Sequence, residues 1–269
     1  MPVSISPQQR NAIVARLRAA GCVFAEDEAS LLIAAADSYA ALQVMAGRRA
    51  SGLPLEQVVG WAEFCGLRIT LAPGVFVPRR RSEFLVGQAI ARAGQPPGVV
   101  LDLCCGSGAI GLAVATALNA AELHAVDIEP AAVACARTNI GPAGGRVYAG
   151  DLCEPLPHAL RGTVGLMIAN APYVPTGEIG LLPAEARLHE PLVTLDGGPD
   201  GTGIQRRIAA LAPDWLAPAG WLLIETSERQ APLTEAAMAA SGLRTEVLRS
   251  AELQSTVVAG SLAAGRRVN

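Results

Sequence analysis

No lysine occurs in this chain: all 21 of its basic residues are arginines. Beside so much alanine, that reads as codon bias rather than chemistry. Aromatic residues make up only 4% and charged residues 17%. There are three histidines, His124, His158 and His189, and none stands at metal-ligand spacing. The six cysteines (Cys22, Cys65, Cys104, Cys105, Cys135, Cys153) include no C-x-x-C pair, so no metal site is expected. Scattered cysteines of this kind suit buried thiols in a reducing compartment, which points to the cytoplasm. No apolar run is long enough to cross a membrane, and residues 1–21 lack the apolar core of a signal peptide. The net charge of −3 argues against a dedicated nucleic-acid binder, which would carry a basic face, although a local basic patch stays open.

What is present is apolar. A hydrophobic content of 51% over 269 residues supports a sizeable core in one large domain or two modest ones. The stretch Val99-Val100-Leu101-Asp102-Leu103-Cys104-Cys105-Gly106-Ser107-Gly108-Ala109-Ile110-Gly111 organises the rest. A short apolar run carrying one acid reads as a strand buried on both faces. Two glycines then break it, and an Ala- and Leu-rich helix runs to Leu118. Strand, glycine turn and helix make a cradle in which backbone N–H groups face a ligand.

Two cofactors compete for that cradle. Gly106-x-Gly108-x-x-Gly111 matches the dinucleotide fingerprint. Asp102, inside the strand, favours S-adenosylmethionine, because an acid there can receive the ammonium of its methionine end and a pyrophosphate gains nothing from one. Asp127 closes the next strand, where a ribose would be held. Asp151, followed by Leu152, comes after the third strand and is placed to reach an adenine amino group. Cys104, Cys105 and Ser107 complete the turn; the paired thiols suit either a redox role or the packing of small side chains.

Read in order, the chain begins with helices over residues 4–20, 26–36 and 38–51, a unit too small to hold much core alone. It is either a cap or a recognition module. Alternation at Phe64, Leu67, Ile69 and Leu71 predicts a hairpin turning at Ala72-Pro73-Gly74. The run Arg79-Arg80-Arg81 is either a solvated face or a contact for an acidic partner. From there the pattern predicts strands 99–103, 122–127, 146–150, 164–169 and 220–226. Helices 109–118, 130–139, 203–217 and 231–241 alternate with them, and a strand pair near 243–249 and 255–262 ends the chain. The expected fold is therefore α/β, a mostly parallel sheet closed by an antiparallel hairpin.

The fourth strand ends in Asn170-Ala171-Pro172-Tyr173. An amide nitrogen is a poor nucleophile, since its lone pair is delocalised. A site with two acceptors, the Asn170 side-chain oxygen and the Ala171 carbonyl, can hold both N–H groups and aim a lone pair at a methyl group. Pro172 stiffens the turn and Tyr173 packs against a planar group.

With these residues in view, the chain resembles the HemK family, the glutamine-N5 methyltransferases of peptide-chain release factors. The resemblance rests on Leu53-Pro54-Leu55-Glu56-Gln57 with Glu63-Phe64-Cys65-Gly66-Leu67, on Val77-Pro78-Arg79 with Glu83, and on the Asp102–Ile110 loop. A late signature adds Glu190-Pro191, Leu195-Asp196-Gly197-Gly198, Asp200-Gly201 and Arg206-Arg207-Ile208. The chain departs from the family where Arg80 replaces Pro, Arg81 replaces Glu, Cys104-Cys105 replace Gly-Thr, and Ala171 replaces Pro. The resemblance implies a class I methyltransferase of Rossmann-like fold. Residues 1–57 form its helical substrate-recognition domain, 58–83 a hairpin linker and 84–269 the methyltransferase domain. It implies S-adenosylmethionine as cofactor and a release factor as protein substrate, with no membrane or direct nucleic-acid partner. A nucleic-acid amino-group methyltransferase, a cofactor-binding protein without activity and a nicotinamide enzyme remain as alternatives.

Overall fold

Ser6 starts the first helix by a reciprocal cap: its hydroxyl accepts the Gln9 N–H at 3.2 Å, and the Gln9 side chain accepts the Ser6 N–H at 2.8 Å. Pro7 then occupies the first turn of α1 (Pro7–Ala19). α2 (Ala25–Ala35) carries Glu26, Asp27 and Glu28 in its first turn, where the helix dipole favours acids. α3 (Tyr39–Ala50) is capped by Ser38, and a fourth, short helix, α4 (Leu55–Val59), follows. These helices enclose a core of their own around Ile13, Leu17, Leu32 and Leu42. The Arg49 guanidinium pairs with Glu28 at 2.6 Å beside it. The computed structural model describes residues 3–94, 98–119 and 122–262; residues 1–2 and 263–269, the outer ends of the expected domains, lie outside them.

The hairpin forms from β1 (Trp61–Phe64) and β2 (Leu67–Thr70), but it reverses at Cys65 and Gly66, with φ +50° and +74°. Two successive left-handed residues are the tight turn that matches strand twist. The expected turn at Ala72-Pro73-Gly74 is a separate one, closed by Val75 N–H onto the Ala72 carbonyl at 3.2 Å. Cysteine in a left-handed position gives no sequence signal of the Asn-Gly kind, which is why the reversal was misplaced. A short 3₁₀ turn at Arg80–Ser82 leads into α5 (Glu83–Arg92), a helix hidden behind the arginine run.

The main sheet then builds up from β3 (Val99–Leu103), α6 (Ala109–Leu118), β4 (Leu123–Asp127), α7 (Pro130–Ile140), β5 (Arg146–Ala149) and β6 (Val164–Ala169). α8 (Ala184–His189) lies in the long connection to α9 (Gly203–Trp215), β7 (Leu216–Thr226), α10 (Ala231–Ala240), β8 (Arg244–Ser250) and β9 (Ser255–Ser261). Strand order is β5-β4-β3-β6-β7-β9-β8. The first five strands are parallel, and β9 runs antiparallel to both β7 and β8. One buried cluster covers each face of the sheet. Helix α9 stops at Trp215 rather than at residue 217. Leu216 instead pairs with Val164 and is buried, so β7 begins earlier than its sequence pattern indicates. Among the described residues no helix is long and apolar enough to cross a membrane.

The hairpin is fastened to the sheet through Asn139. Its Oδ1 accepts the Thr70 N–H, and its Nδ2 donates to the Thr70 and Ser107 carbonyls, all at 2.9 Å. One side chain on α7 thus joins β2 to the glycine turn. Asn139→Ala removes three bonds of about 1 kcal/mol each, so it is expected to lower stability by about 2 kcal/mol in urea unfolding.

Candidate functional site

The glycine turn sits at the C-terminal ends of β3 and β4, where an open α/β sheet places its ligands. Cys104, Gly106 and Gly108 all adopt left-handed backbone, with φ +56°, +55° and +79°. Glycine does so without strain; Cys104 pays about 1 kcal/mol, the cost of a Cβ there. Two carboxylates hold the turn. Asp127 Oδ2 accepts the Gly106 N–H at 2.8 Å, and its Oδ1 accepts the Glu129 N–H at 2.9 Å. Asp102 Oδ2 accepts the Gly111 N–H at 2.9 Å. A Cβ on Gly111 would lie 2.9 Å from the Asp102 carboxylate, so only glycine lets α6 approach its acid this closely.

A cavity of about 610 Å³ opens above the turn. Its wall includes Cys104, Cys105, Gly106, Ser107, Asp127, Asp151, Leu152 and all of Asn170-Ala171-Pro172-Tyr173. The structure therefore brings together every site residue read from the sequence except two. Gly108 lies under the turn, packed against Ile140. Asp102 lies beneath it, 1% exposed, with Oδ1 buried and lacking a hydrogen-bond partner. Burial pushes its carboxyl up to about 7, against the pull of the Gly111 N–H. Asp127 is also raised by burial, and its backbone donors pull it back. Both thiols of the turn are raised by burial and by the neighbouring carboxylates, Asp127 foremost at Cys104 and Asp102 at Cys105, and stay protonated at neutral pH. That chemistry suits packing, not redox exchange. Asp151 does not stand alone: Arg207 of the late signature pairs with it at 2.6 Å.

The Asn170 loop is held from outside by the late signature. Val174 N–H donates to the Leu195 carbonyl and Gly197 N–H to the Val174 carbonyl, both at 2.9 Å. Gln230 Nε2 spans the Tyr173 and Asp200 carbonyls at 2.7 and 3.0 Å. A Cβ on Gly201, whose φ is +75°, would lie 2.3 Å from the Tyr173 carbonyl. The late glycines are therefore the floor on which the loop rests. Gln230, missed from the sequence, gave no signal there because it lies 57 residues beyond Tyr173. Ser82 was missed too; its hydroxyl accepts from Asn170 Nδ2 at 3.2 Å. Among the described residues, Asn170 Oδ1 and the Ala171 carbonyl accept no hydrogen bond. Two residues of the arginine run are engaged within the protein, Arg79 with buried Glu190 and Arg81 with buried Glu225 and the Tyr173 hydroxyl, while Arg80 is exposed. Among the described residues no group of three or more His, Cys, Asp or Glu side chains could hold a metal.

This sheet, with its turn, paired strand-end acids and closing antiparallel hairpin, is that of a class I methyltransferase. A family model described as the methyltransferase small domain matches residues 66–185. The chain belongs to the release factor glutamine methyltransferase family. It is 39% identical over 197 residues to the release factor glutamine methyltransferase of Geobacter sulfurreducens, covering 72% of this chain and 68% of that protein. It is also 37% identical over 201 residues to the 4-amino-L-phenylalanine/4-methylamino-L-phenylalanine methyltransferase of Streptomyces pristinaespiralis, covering 72% and 68%. Among solved structures, a methyltransferase from Pyrococcus furiosus shares the fold with a TM-score of 0.56 at 16% identity, covering 81% of this chain and 97% of that one.

The raised Asp102 carboxyl has a consequence for stability. Its folded pKa of about 7 lies above the ordinary 3.8, so the folded state binds more protons between those values. Stability from this group is thus lost as pH rises from about 4 through 7. Urea unfolding at pH 5.5 and 8.0 is expected to show the gain at lower pH shrink in Asp102→Asn.

Proposed function

We propose that the chain transfers a methyl group from S-adenosylmethionine to the side-chain amide nitrogen of a glutamine in a protein, a peptide-chain release factor, in the cytoplasm. The observation that carries this is the pair of unengaged acceptors, Asn170 Oδ1 and the Ala171 carbonyl, side by side on the wall of a cavity floored by a glycine turn. The residues fit the cofactor. The orphaned, buried Asp102 oxygen calls for a positive group nearby, and Asp127 keeps lone pairs free for ribose hydroxyls while holding the turn. Asp151 and Leu152 border the place for adenine. Bound there, the cofactor supplies an electrophilic methyl group on a sulfonium.

The protein's own part is orientation. Asn170 Oδ1 and the Ala171 carbonyl accept the two N–H groups of the target amide, which points its lone pair along the transfer direction. No general base has to act before attack. Tyr173 lies beside them as a flat wall; burial pushes its phenol up to about 12, and Arg81 at its hydroxyl opposes that rise, so it remains a neutral packing surface. The net charge of −3 and the floor built by the late signature favour a protein over a nucleic-acid substrate. The helical domain, residues 1–57, serves recognition, with 58–83 as linker and 84–269 as the methyltransferase domain.

The test is methyl transfer to a glutamine-containing release-factor domain, with 4-amino-L-phenylalanine and nucleic acid as alternative acceptors. Incorporation into the protein alone is expected; incorporation into either alternative alone would sink the proposal. Asn170→Ala is expected to lower the rate by on the order of a hundredfold, the value of a lost orienting contact. Ala171→Pro is expected to hold or raise it, since among the described residues the Ala171 N–H makes no hydrogen bond.

Cofactor affinity gives a separate check. Asp127→Ala removes charged hydrogen bonds and is expected to weaken S-adenosylmethionine binding by about 1–3 kcal/mol in calorimetry, with no nicotinamide cofactor bound by the parent protein.

A further inference from the structure

A second cavity, of about 450 Å³, lies on the other side of a wall made by Arg81 and Tyr173. Those two side chains border both cavities, and the Arg81 guanidinium donates to the Tyr173 hydroxyl. The second cavity is built where β7 ends and β8 turns into β9. Strand pairing sets Thr226 opposite Thr256 there, and Ser250 opposite Ser255. Two of its side chains end in buried polar atoms that have no hydrogen-bond partner among the described residues. They are Glu225 Oε2, on a residue 1% exposed, and Ser255 Oγ, on a residue 4% exposed. We propose that this cavity receives the main chain of the substrate polypeptide beside the target glutamine, with Glu225 Oε2 accepting a peptide N–H and Ser255 Oγ bonding a peptide group.

This rests on the reading that a glutamine is held at Asn170. A buried polar atom without a partner is costly, so these two atoms define what the cavity takes. A carboxylate oxygen only accepts, whereas a hydroxyl both donates and accepts. The occupant therefore brings a donor to Glu225 and a polar group of either kind to Ser255. The cations that line the cavity are already engaged. Arg81 Nε donates to Glu225 Oε1 at 3.2 Å, and Arg249 Nε pairs with Glu228 Oε1 at 3.3 Å. The two arginines balance the two glutamates, so the cavity favours no net charge on its occupant. The carboxylate of a free amino acid would have to displace Glu225 or Glu228 from its arginine. A peptide group is neutral and carries an N–H beside a carbonyl, which suits an acceptor next to a hydroxyl. The wall between the cavities is thin: the Arg81 guanidinium carbon lies 5.8 Å from the centre of the Tyr173 ring. About two extended residues, at about 3.4 Å each, would pass it. A substrate that fills both cavities is a polypeptide, and a lone glutamine fills only the first.

Two measurements on the full chain test it. The first is steady-state methyl transfer to acetyl-glutamine N-methylamide and to two peptides that add three alanines before or after that glutamine. Alanine adds peptide groups with little side chain. At least one extended peptide should exceed the minimal acceptor in kcat/KM by roughly tenfold, the worth of a hydrogen bond to a charged group. Ser255→Ala should lower that ratio at least about threefold, through KM of the extended peptide, and Ser255→Thr, which keeps the hydroxyl, should hold it. Glu225→Gln is near-isosteric; with its carbonyl on Arg81 it turns a donor toward the peptide N–H, so the ratio should fall there too. Equal kcat/KM for all three acceptors, a ratio unchanged in both Ser255→Ala and Glu225→Gln, or free L-glutamine surpassing both extended peptides would overturn the proposal. The second measurement needs no methyl transfer. In ¹⁵N-labelled protein, acetyl-trialanine N-methylamide should shift the backbone amide signals of Ser227, Ser255 and Thr256 saturably, with weaker binding in Ser255→Ala. No such shifts in the parent would likewise overturn it. If no glutamine acceptor is methylated and the shifts are still seen, the assigned target amide is wrong and the peptide-binding role of this cavity stands.

Discussion

One buried and one half-buried carboxylate at the ends of neighbouring strands hold one tight turn, and the rest of the site depends on that constraint. Asp102 and Asp127 give their oxygens to the N–H groups of Gly111 and Gly106, on either side of Gly108. Burying a carboxylate is costly unless donors surround it. The start of α6 supplies such donors, since its first N–H groups have no partner within the helix. The acids and the turn therefore stabilise each other. With the turn so placed, the Ser107 carbonyl is presented to Asn139, and through Asn139 the hairpin is fastened to the sheet.

The departures from the family pattern fall where the structure can absorb them. Cys104 takes a left-handed backbone that glycine would take without strain. Its thiol packs against the core and stays protonated, so the substitution costs some strain and adds no reactive group. Ala171 lacks the ring that would stiffen its turn. It is 1% exposed, however, and its neighbours are pinned by Gln230, Leu195 and Gly197. Rigidity that proline would supply within the chain is supplied here by hydrogen bonds from two other segments.

Much of this was legible because strand, glycine turn and strand-end acid are local patterns. The sheet order followed from the alternation of elements, and the cavity wall from residues at strand ends. What escaped the sequence depended on distant partners. Gln230 and Ser82 act on the Asn170 loop across 57 and 88 residues. The early start of β7 is set by pairing with Val164, not by its own composition. Helix α5 was masked by three arginines, two of which turn inward to carboxylates that only folding brings near. The hairpin reversal at Cys65 was hidden because the left-handed position is filled by a residue that seldom takes it.

Those inward arginines make the linker the piece that couples the two ends of the molecule. Arg79 reaches Glu190, on the connection that carries the late signature, and Arg81 reaches Glu225, on β7. The same segment is tied to the helices before it, since Gln57 Nε2 donates to the Val75 carbonyl at 3.1 Å and the Leu71 N–H to the Gly60 carbonyl at 2.9 Å. It is tied to α5 by the Glu83 carboxylate, which accepts the Cys65 N–H at 3.3 Å. At Gly52, just before α4, a Cβ would lie 3.4 Å from His189 at the end of α8, next to Glu190 on the cavity wall. The helical unit is thus joined to the linker by the buried Gln57 bond, and the linker to the cavity wall by its arginines, so the helices are not carried on a free tether. A macromolecule that rests on those helices would meet the Asn170 loop at a fixed distance, as the presentation of a single side chain to a cavity requires.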